Sequence, residues 1–303
     1  MSLALSAPLA MAGSALLFAL MGVAVKVASS LYGAGELVMY RSLVGLVLIA
    51  TLMRWRGVPL ATQVPGMHAW RSATGVAALV LWFHALSGLP LATATTLNYM
   101  SSVWIALFLI GGAVLLRPAR QAIDGRLVAA VLCGFAGVAL VLRPAMTAEQ
   151  AWHGFTGLLS GVLAALAYLQ VTALGRVGEP ALRIVLYFSL VGVVVGAAVV
   201  AAGGGTFHGH SARGVALLLA IGLLAAGGQW LITRAYSHGA TLGIAALQYL
   251  GVVFAFVFGV WLFDDPVTAG AVVGMVLIVG AGVVATLLRG KAQPDDATAA
   301  GEG

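Results

Sequence analysis

Residues 91–108 read LATATTLNYMSSVWIALF, an apolar stretch interrupted by an Asn-Tyr pair, and residues 242–258 read LGIAALQYLGVVFAFVF, with Gln-Tyr at the matching place. Setting Tyr99 on Tyr249 also sets Ala85 on Ala235, Ser87 on Ser237, Leu97 on Leu247 and Phe108 on Phe258, all at an offset of 150. A second match relates Tyr40, Ser42, Leu43, Val44 and Gly45 in YRSLVG to Tyr187, Ser189, Leu190, Val191 and Gly192 in YFSLVG, at an offset of 147. AGVALVLR, ending at Arg143, likewise resembles AGVVATLLR, ending at Arg289. Self-similarity on this scale predicts two equivalent halves, 1–145 and 146–303, that meet in the polar connection PAMTAEQAWH.

Composition places both halves in a lipid bilayer. The chain is 62% hydrophobic and 8% charged, with a mean hydropathy of +1.07, whereas an ordinary soluble domain carries about 25% charged residues. Ten apolar segments have roughly the length that crosses a hydrocarbon core: 8–28, 35–53, 69–89, 91–115, 126–142, 154–174, 182–202, 213–237, 241–263 and 267–288. The N-terminus lacks the basic region of a cleaved signal, so the first segment is expected to stay as a helix. Ten is even, so both termini share a side. With the N-terminus inside, the inner connections hold Arg54, Arg56, Arg71, Arg117, Arg120, Arg126, Arg176, Arg183, Arg289 and Lys291, and the outer ones only Arg143 and Arg213. That bias predicts cytoplasmic termini and an inner-membrane location, and it reads the pI near 9.9 as an orientation signal rather than a nucleic-acid patch. Five helices per half is odd, so the second half must lie inverted relative to the first, the plan of many secondary transporters. The expected fold is an all-α integral membrane protein with ten transmembrane helices in two inverted five-helix repeats. The single Cys133 precludes an intramolecular disulfide.

These segments carry a family resemblance. LVMYRSLVG in the second helix, LATATTLNYMSSVWIALF in the fourth and LQYLGVVFAFVFGVWLFDD leading into the tenth resemble the EamA-type transporters of the drug/metabolite transporter superfamily. The resemblance implies a ten-helix bundle with a central cavity that moves small metabolites; members with an aromatic-lined pocket include exporters of aromatic amino acids. One departure is visible: related segments often have Pro after the Ser of the fourth helix, where Ser102 and Val103 follow Ser101 here.

The polar inventory limits the chemistry. None of the nine acidic residues, Glu36, Asp124, Glu149, Glu179, Asp264, Asp265, Asp295, Asp296 and Glu302, lies in the middle of a predicted span. Paired intramembrane carboxylates, a Ser-His set and acidic metal ligands are therefore missing, which argues against an enzyme and leaves no catalytic, metal or cofactor site to assign. A proton-coupled exporter of cations would carry an intramembrane carboxylate, and the first helix offers only Ser14, Phe18, Met21 and Lys26.

What remains is polar and mostly uncharged. Thr95, Asn98, Tyr99 and Ser102 share one helical stripe. Asn98 lies about 10 Å deep from the outer face and Gln248 about as deep from the inner one, so Asn98 with Tyr99 and Gln248 with Tyr249 bracket the midplane where inverted-repeat transporters hold substrate. Trp82, Trp104, Tyr168, Gln229 and Trp230 are further candidates for the wall of that site. The same residue types also serve as interhelical glue or space-filling side chains. Arg41 could receive an anionic group, although bonding carbonyls or snorkelling outward is the favoured reading. His84 can titrate near neutrality, Arg234 occupies the equivalent place in the second half, and Lys26 can pair with Glu36. Trp55, Trp70 and Trp261 near span ends read as interface anchors. The GxxxG spacings at Gly157 and Gly161, Gly192 and Gly196, and Gly270 and Gly274 predict close packing, with no stated oligomer. The expected function is export of amino acids or similar neutral or zwitterionic solutes across the lipid bilayer, with exchange of phosphorylated or carboxylated anions through Arg41 and Arg234 as the alternative. A membrane scaffold that moves nothing is the third reading.

Overall fold

The computed structural model describes residues 6–116, 148–205, 207–238 and 247–290 continuously, with scattered positions between 126 and 140. The predicted fifth span and the start of the predicted ninth lie outside the continuously described residues. Among the described residues all regular structure is helical. The helices are α1 (Ala7–Ala28), α2 (Ala34–Trp55), α3 (Pro65–Gly88), α4 (Leu91–Tyr99), α5 (Ser101–Leu116), α6 (Ala148–Arg176), α7 (Ala181–Ala202), α8 (Ala212–His238), α9 (Leu250–Phe263) and α10 (Ala269–Gly290). Five of them, α1, α2, α6, α7 and α8, are long and apolar enough to cross a membrane.

Local chemistry sets several starts. Pro8 and Pro65 stand in the first turns of α1 and α3, and Pro90 and Pro180 cap α4 and α7, positions where a missing N–H costs nothing. At the head of α2 the Glu36 carboxylate accepts the Gly33 N–H at 3.2 Å and places negative charge at the helix N-terminus.

The single helix expected over 91–115 is instead two. α4 ends at Tyr99, Met100 turns with φ −55° and ψ −13°, and the N–H groups of Val103 and Trp104 both return to the Met100 carbonyl, at 2.9 and 3.0 Å. The second half breaks at the aligned place: Gln248 and Tyr249 form a turn ahead of α9, with Gly251 N–H donating to the Gln248 carbonyl at 2.9 Å. The interruption follows directly on the Asn-Tyr pair in the first half and falls on the Gln-Tyr pair in the second.

Packing respects the repeat. α1 runs along α8 as α6 runs along α3, α1 meets α9 as α6 meets α4, and α2 and α7 pack on each other. Glycine permits the two tightest crossings. A Cβ on Gly196 of α7 would stand 2.6 Å from the Met39 backbone nitrogen of α2, and one on Gly161 of α6 would stand 2.6 Å from the Leu97 carbonyl oxygen of α4. At such distances only a residue without Cβ lets the backbones meet.

Polar contacts tie the bundle at both ends of α2. Lys26 does not pair with Glu36 as expected. Its Nζ lies 3.1 Å from Asp265 Oδ1, because α1 packs against α9 and brings the end of that helix beside it. Asp265 Oδ2 also accepts the Leu91 N–H at the start of α4, at 2.9 Å. Glu36 instead receives the His208 N–H at 2.9 Å and meets His208 Nδ1 at 2.6 Å.

At the opposite end of α2, Glu179 accepts hydrogen bonds from Thr62 Oγ1 at 2.7 Å and Arg183 Nη1 at 2.9 Å, with His68 Nε2 at 3.3 Å. Burial pushes the Glu179 carboxyl up, but the bonds from Thr62 and Arg183 outweigh it and hold the group below the usual carboxylate range. Stability from a depressed carboxylate is complete above its unfolded value, about 4.3, and is lost as pH falls through the folded value. The melting midpoint should therefore fall on acidification from about pH 5 downward, and Glu179→Gln should flatten that limb. If the variant kept the full acid dependence, the loss would belong to other groups.

Candidate functional site

Where α1, α2, α3, α4, α6, α7 and α8 converge, the helices leave a cavity of about 60 Å³. Apolar and aromatic side chains form most of the wall: Phe18 and Met21 from α1, Leu79 and Trp82 from α3, and Phe188 from α7. Asn98 and Tyr99 enter from the end of α4, Tyr168 from α6 and Gln229 from α8, while Arg41 of α2 and Arg71 of α3 supply charge. Asn98, Gln229, Arg41 and Arg71 are all buried, so the polar groups of the wall lie deep in the bundle.

The helix break positions Asn98 and Tyr99. Asn98 Nδ2 donates to Ser160 Oγ at 3.0 Å, and Ser160 in turn donates to the Gly157 carbonyl at 2.6 Å, so Asn98 both lines the cavity and binds α4 to α6. The Tyr99 ring lies flat on Gly251 of α9, where a Cβ would overlap it. Tyr168 is held from behind. Its ring stacks on Tyr236 with centroids 4.8 Å apart, and Gln248 bridges the two hydroxyls, accepting from Tyr236 at 3.1 Å and donating to Tyr168 at 3.3 Å.

The expected residues thus fall into three positions. Asn98, Tyr99, Trp82, Tyr168, Gln229 and Arg41 stand in the wall. Gln248 stands one layer behind, supporting Tyr168, and Tyr249 is buried at the start of α9 within hydrogen-bonding reach of Ser102. The remaining four are elsewhere. Trp104 stacks on Phe108 at 6.3 Å, and Trp230 packs with the small cluster of Ile49, Met53 and Leu182, its ring 5.9 Å from the Arg234 guanidinium. His84 stacks on His153 with centroids 4.4 Å apart, and its carbonyl is 2.8 Å from His153 Nδ1.

Arg71 and Phe188 were not among the expected site residues. Arg71 counted among the inner-connection charges, at the very start of the predicted span 69–89. The helix begins at Pro65, which carries Arg71 about 9 Å, nearly two turns, along α3, where it is 2% exposed. The signal was present in Pro65, a residue favoured at a first helical position. Phe188 was legible through the repeat, since it aligns with Arg41, and α2 packs on α7 so that the two equivalent positions face each other. The Arg41 guanidinium carbon lies 5.5 Å from the Phe188 ring centre and that of Arg71 lies 4.3 Å from it, distances at which a cation is attracted to a ring face.

No family model matches the chain. It is 33% identical over 237 residues, 78% of its own length and 80% of the relative's, to the pseudopaline exporter CntI of Pseudomonas aeruginosa. It is 24% identical over 256 residues, 81% of its length and 82% of the relative's, to an uncharacterized transporter of Helicobacter pylori. A solved crystal structure of a protein 17% identical superposes on 95% of this chain and 99% of its own with a TM-score of 0.67, a likeness of fold. The all-helical bundle, its apolar helices and the 33% identity over most of both chains agree: the chain belongs to the family of membrane transporters that contains the pseudopaline exporter CntI.

Proposed function

We propose that the protein exports a small metabolite across the inner membrane by alternating access, as an EamA-type member of the drug/metabolite transporter superfamily with ten spans in two inverted repeats. The central cavity carries this reading, because a space lined by buried polar and aromatic groups in an otherwise apolar bundle is what a solute carrier requires. The equivalent packing of α1 on α8 and α6 on α3 supports the internal symmetry, as does the paired interruption at Met100 and at Gln248 with Tyr249. The relative named as a pseudopaline exporter supports the outward direction.

Within this reading Asn98 and Gln229 bond the solute's polar groups, Trp82, Tyr168 and Phe188 enclose its body, and Gln248 acts through Tyr168. An amino acid or similar solute satisfies such a wall, with its carboxylate received by an arginine. The alternative, an anionic metabolite, gains from a specific observation: a second arginine, Arg71, reaches the cavity in the place the sequence suggested for Arg234.

The test is counterflow in liposomes containing the purified protein, run over a panel of labelled amino acids, dicarboxylates, nucleosides and sugar phosphates. For the solute that exchanges, Asn98→Ala should reduce flux roughly fivefold, the loss of one hydrogen bond worth about 1 kcal/mol. Gln248→Ala should give a smaller loss, and both proteins should stay folded and inserted. Wild-type flux in both variants, or no exchange of any solute by the wild type, would sink the proposal.

A further inference from the structure

Arg41 and Arg71 form a buried pair of cations with no counter-ion among the described residues. They are 4% and 2% exposed and enter one cavity from different helices. Both guanidinium carbons stand within 5.5 Å of the Phe188 ring centre, so they lie no more than about 10 Å apart and repel each other. Arg41 Nε and Arg71 Nε and Nη1 have no hydrogen-bond partner.

No carboxylate among the described residues lines the cavity. The ion pairs of Lys26, His68, Arg183 and His208 lie elsewhere, with Asp265, Glu179 and Glu36 as their acids. None of the chain's nine acidic residues falls in the middle of a predicted span, so a bound anion is the natural partner for the two guanidiniums. A buried charge left unpaired is strongly unfavourable, and a guanidinium fork is shaped to take a carboxylate through two parallel bonds. Gly75 shows that the room is built for this arrangement, because a Cβ there would collide with the Arg71 guanidinium.

The geometry points to a two-point site for a solute bearing two separate anionic groups, a short dicarboxylate, one group on Arg41 and the other on Arg71, with the carbon chain against Phe188. The occupied site is then electrically neutral. The inference rests on the reading of the cavity as the solute site and narrows the class of solute that fills it. The guanidiniums come from different helices and both stand against the Phe188 ring, so two separate groups give each fork a partner of its own.

The probes are succinate, butyrate and sulfate, added to the purified full-length protein in detergent at neutral pH and constant ionic strength, with the melting midpoint as readout. Succinate should raise the midpoint by roughly 4 °C or more at saturating concentration. Butyrate, with the same chain and one carboxylate, should give less than half that shift, and sulfate, a compact dianion, should fall between them. Arg41→Gln and Arg71→Gln should each reduce the succinate shift to the butyrate value. If either fails to fold, Gly75→Ala, which displaces Arg71 while keeping its charge, should lower the succinate shift selectively.

Equal shifts from succinate and butyrate in the wild type would overturn the proposal. So would a sulfate shift as large as that of succinate, which would mean a single compact anion site, or a succinate shift that survives in Arg71→Gln. The result is independent of the transport reading. Protein that binds succinate but exchanges no labelled succinate would retain the site and lose the carrier, and protein that exchanges an amino acid with no preference for dicarboxylates would do the reverse.

Discussion

Replacing Arg71 by Met should abolish transport and raise the melting midpoint at the same time. The guanidinium is buried and two of its nitrogens lack partners, so its charge opposes folding, offset only in part by the Phe188 ring 4.3 Å away. Exchanging buried ionic side chains for apolar ones of similar volume is commonly neutral or stabilising by about 1–4 kcal/mol. The Met variant should therefore melt several degrees higher. Its solute affinity should fall by about 10- to 150-fold, the equivalent of about 1.5–3 kcal/mol for a hydrogen bond to a charged group. The opposing signs are the diagnostic, since a residue retained for the fold would lose stability on replacement, whereas one retained for its ligand gains it. Paired melting curves and counterflow assays check this, and a lower midpoint with flux retained would make Arg71 structural.

The second large effect is expected at Gly161. Its Cβ position lies 2.6 Å from the Leu97 carbonyl oxygen and 3.1 Å from that of Asn98, and both are backbone atoms at the end of a helix that cannot rotate aside. Gly161→Val should push α6 from α4 at the place where Asn98 is tied to Ser160, at a cost of about 3 kcal/mol, the upper part of the range for overpacking. The yield of monodisperse protein and the midpoint should both drop sharply. Gly111 is the control, because a Cβ there meets nothing within 4 Å; Gly111→Ala should be neutral or stabilising by up to about 1 kcal/mol through helix propensity. Equal losses in the two variants would mean that helix flexibility, not the α4–α6 approach, decides the outcome.

Much of the architecture was legible because hydropathy and repetition are properties of long segments. The starts and ends of α1, α2 and α7 fall within one or two residues of the predicted spans, since no local polar residue competes there with the apolar run. The helix α3 starts four residues before the predicted span, so Arg71, counted with the inner-connection charges, lies nearly two turns inside the helix. The break after Tyr99 was invisible for a different reason. Nothing in LNYMSSV is a helix breaker, and the interruption depends on α6 and α9 packing closely around it, through Gly161 and Gly251. Lys26 and Glu36 are near neighbours in sequence and of opposite sign, yet each found its partner more than 170 residues away, at Asp265 and His208. Side-chain pairing of that kind follows from which helices touch, information that a half-repeat supplies only in outline. Asn98 and Tyr168 were singled out by polarity in an apolar setting, while Phe188 had only its alignment with Arg41 to mark it, because an aromatic among apolar residues carries no contrast.

The contacts at the two ends of α2 acquire a meaning when taken together. Asp265 gathers α1, α4 and α9 at one end, and Glu179 gathers the α2–α3 connection and α7 at the other. Both sets are formed in the same structure, so the bundle is fastened at its two rims at once, like a lock with both gates shut. In the alternating-access cycle proposed above only one gate would open at a time, and the acidic residues that the sequence keeps out of the middle of the predicted spans would serve as its latches. Turnover would then be governed at the rims, by how readily Asp265 or Glu179 exchanges its partners for water, and selectivity at the centre, by the buried Arg41 and Arg71.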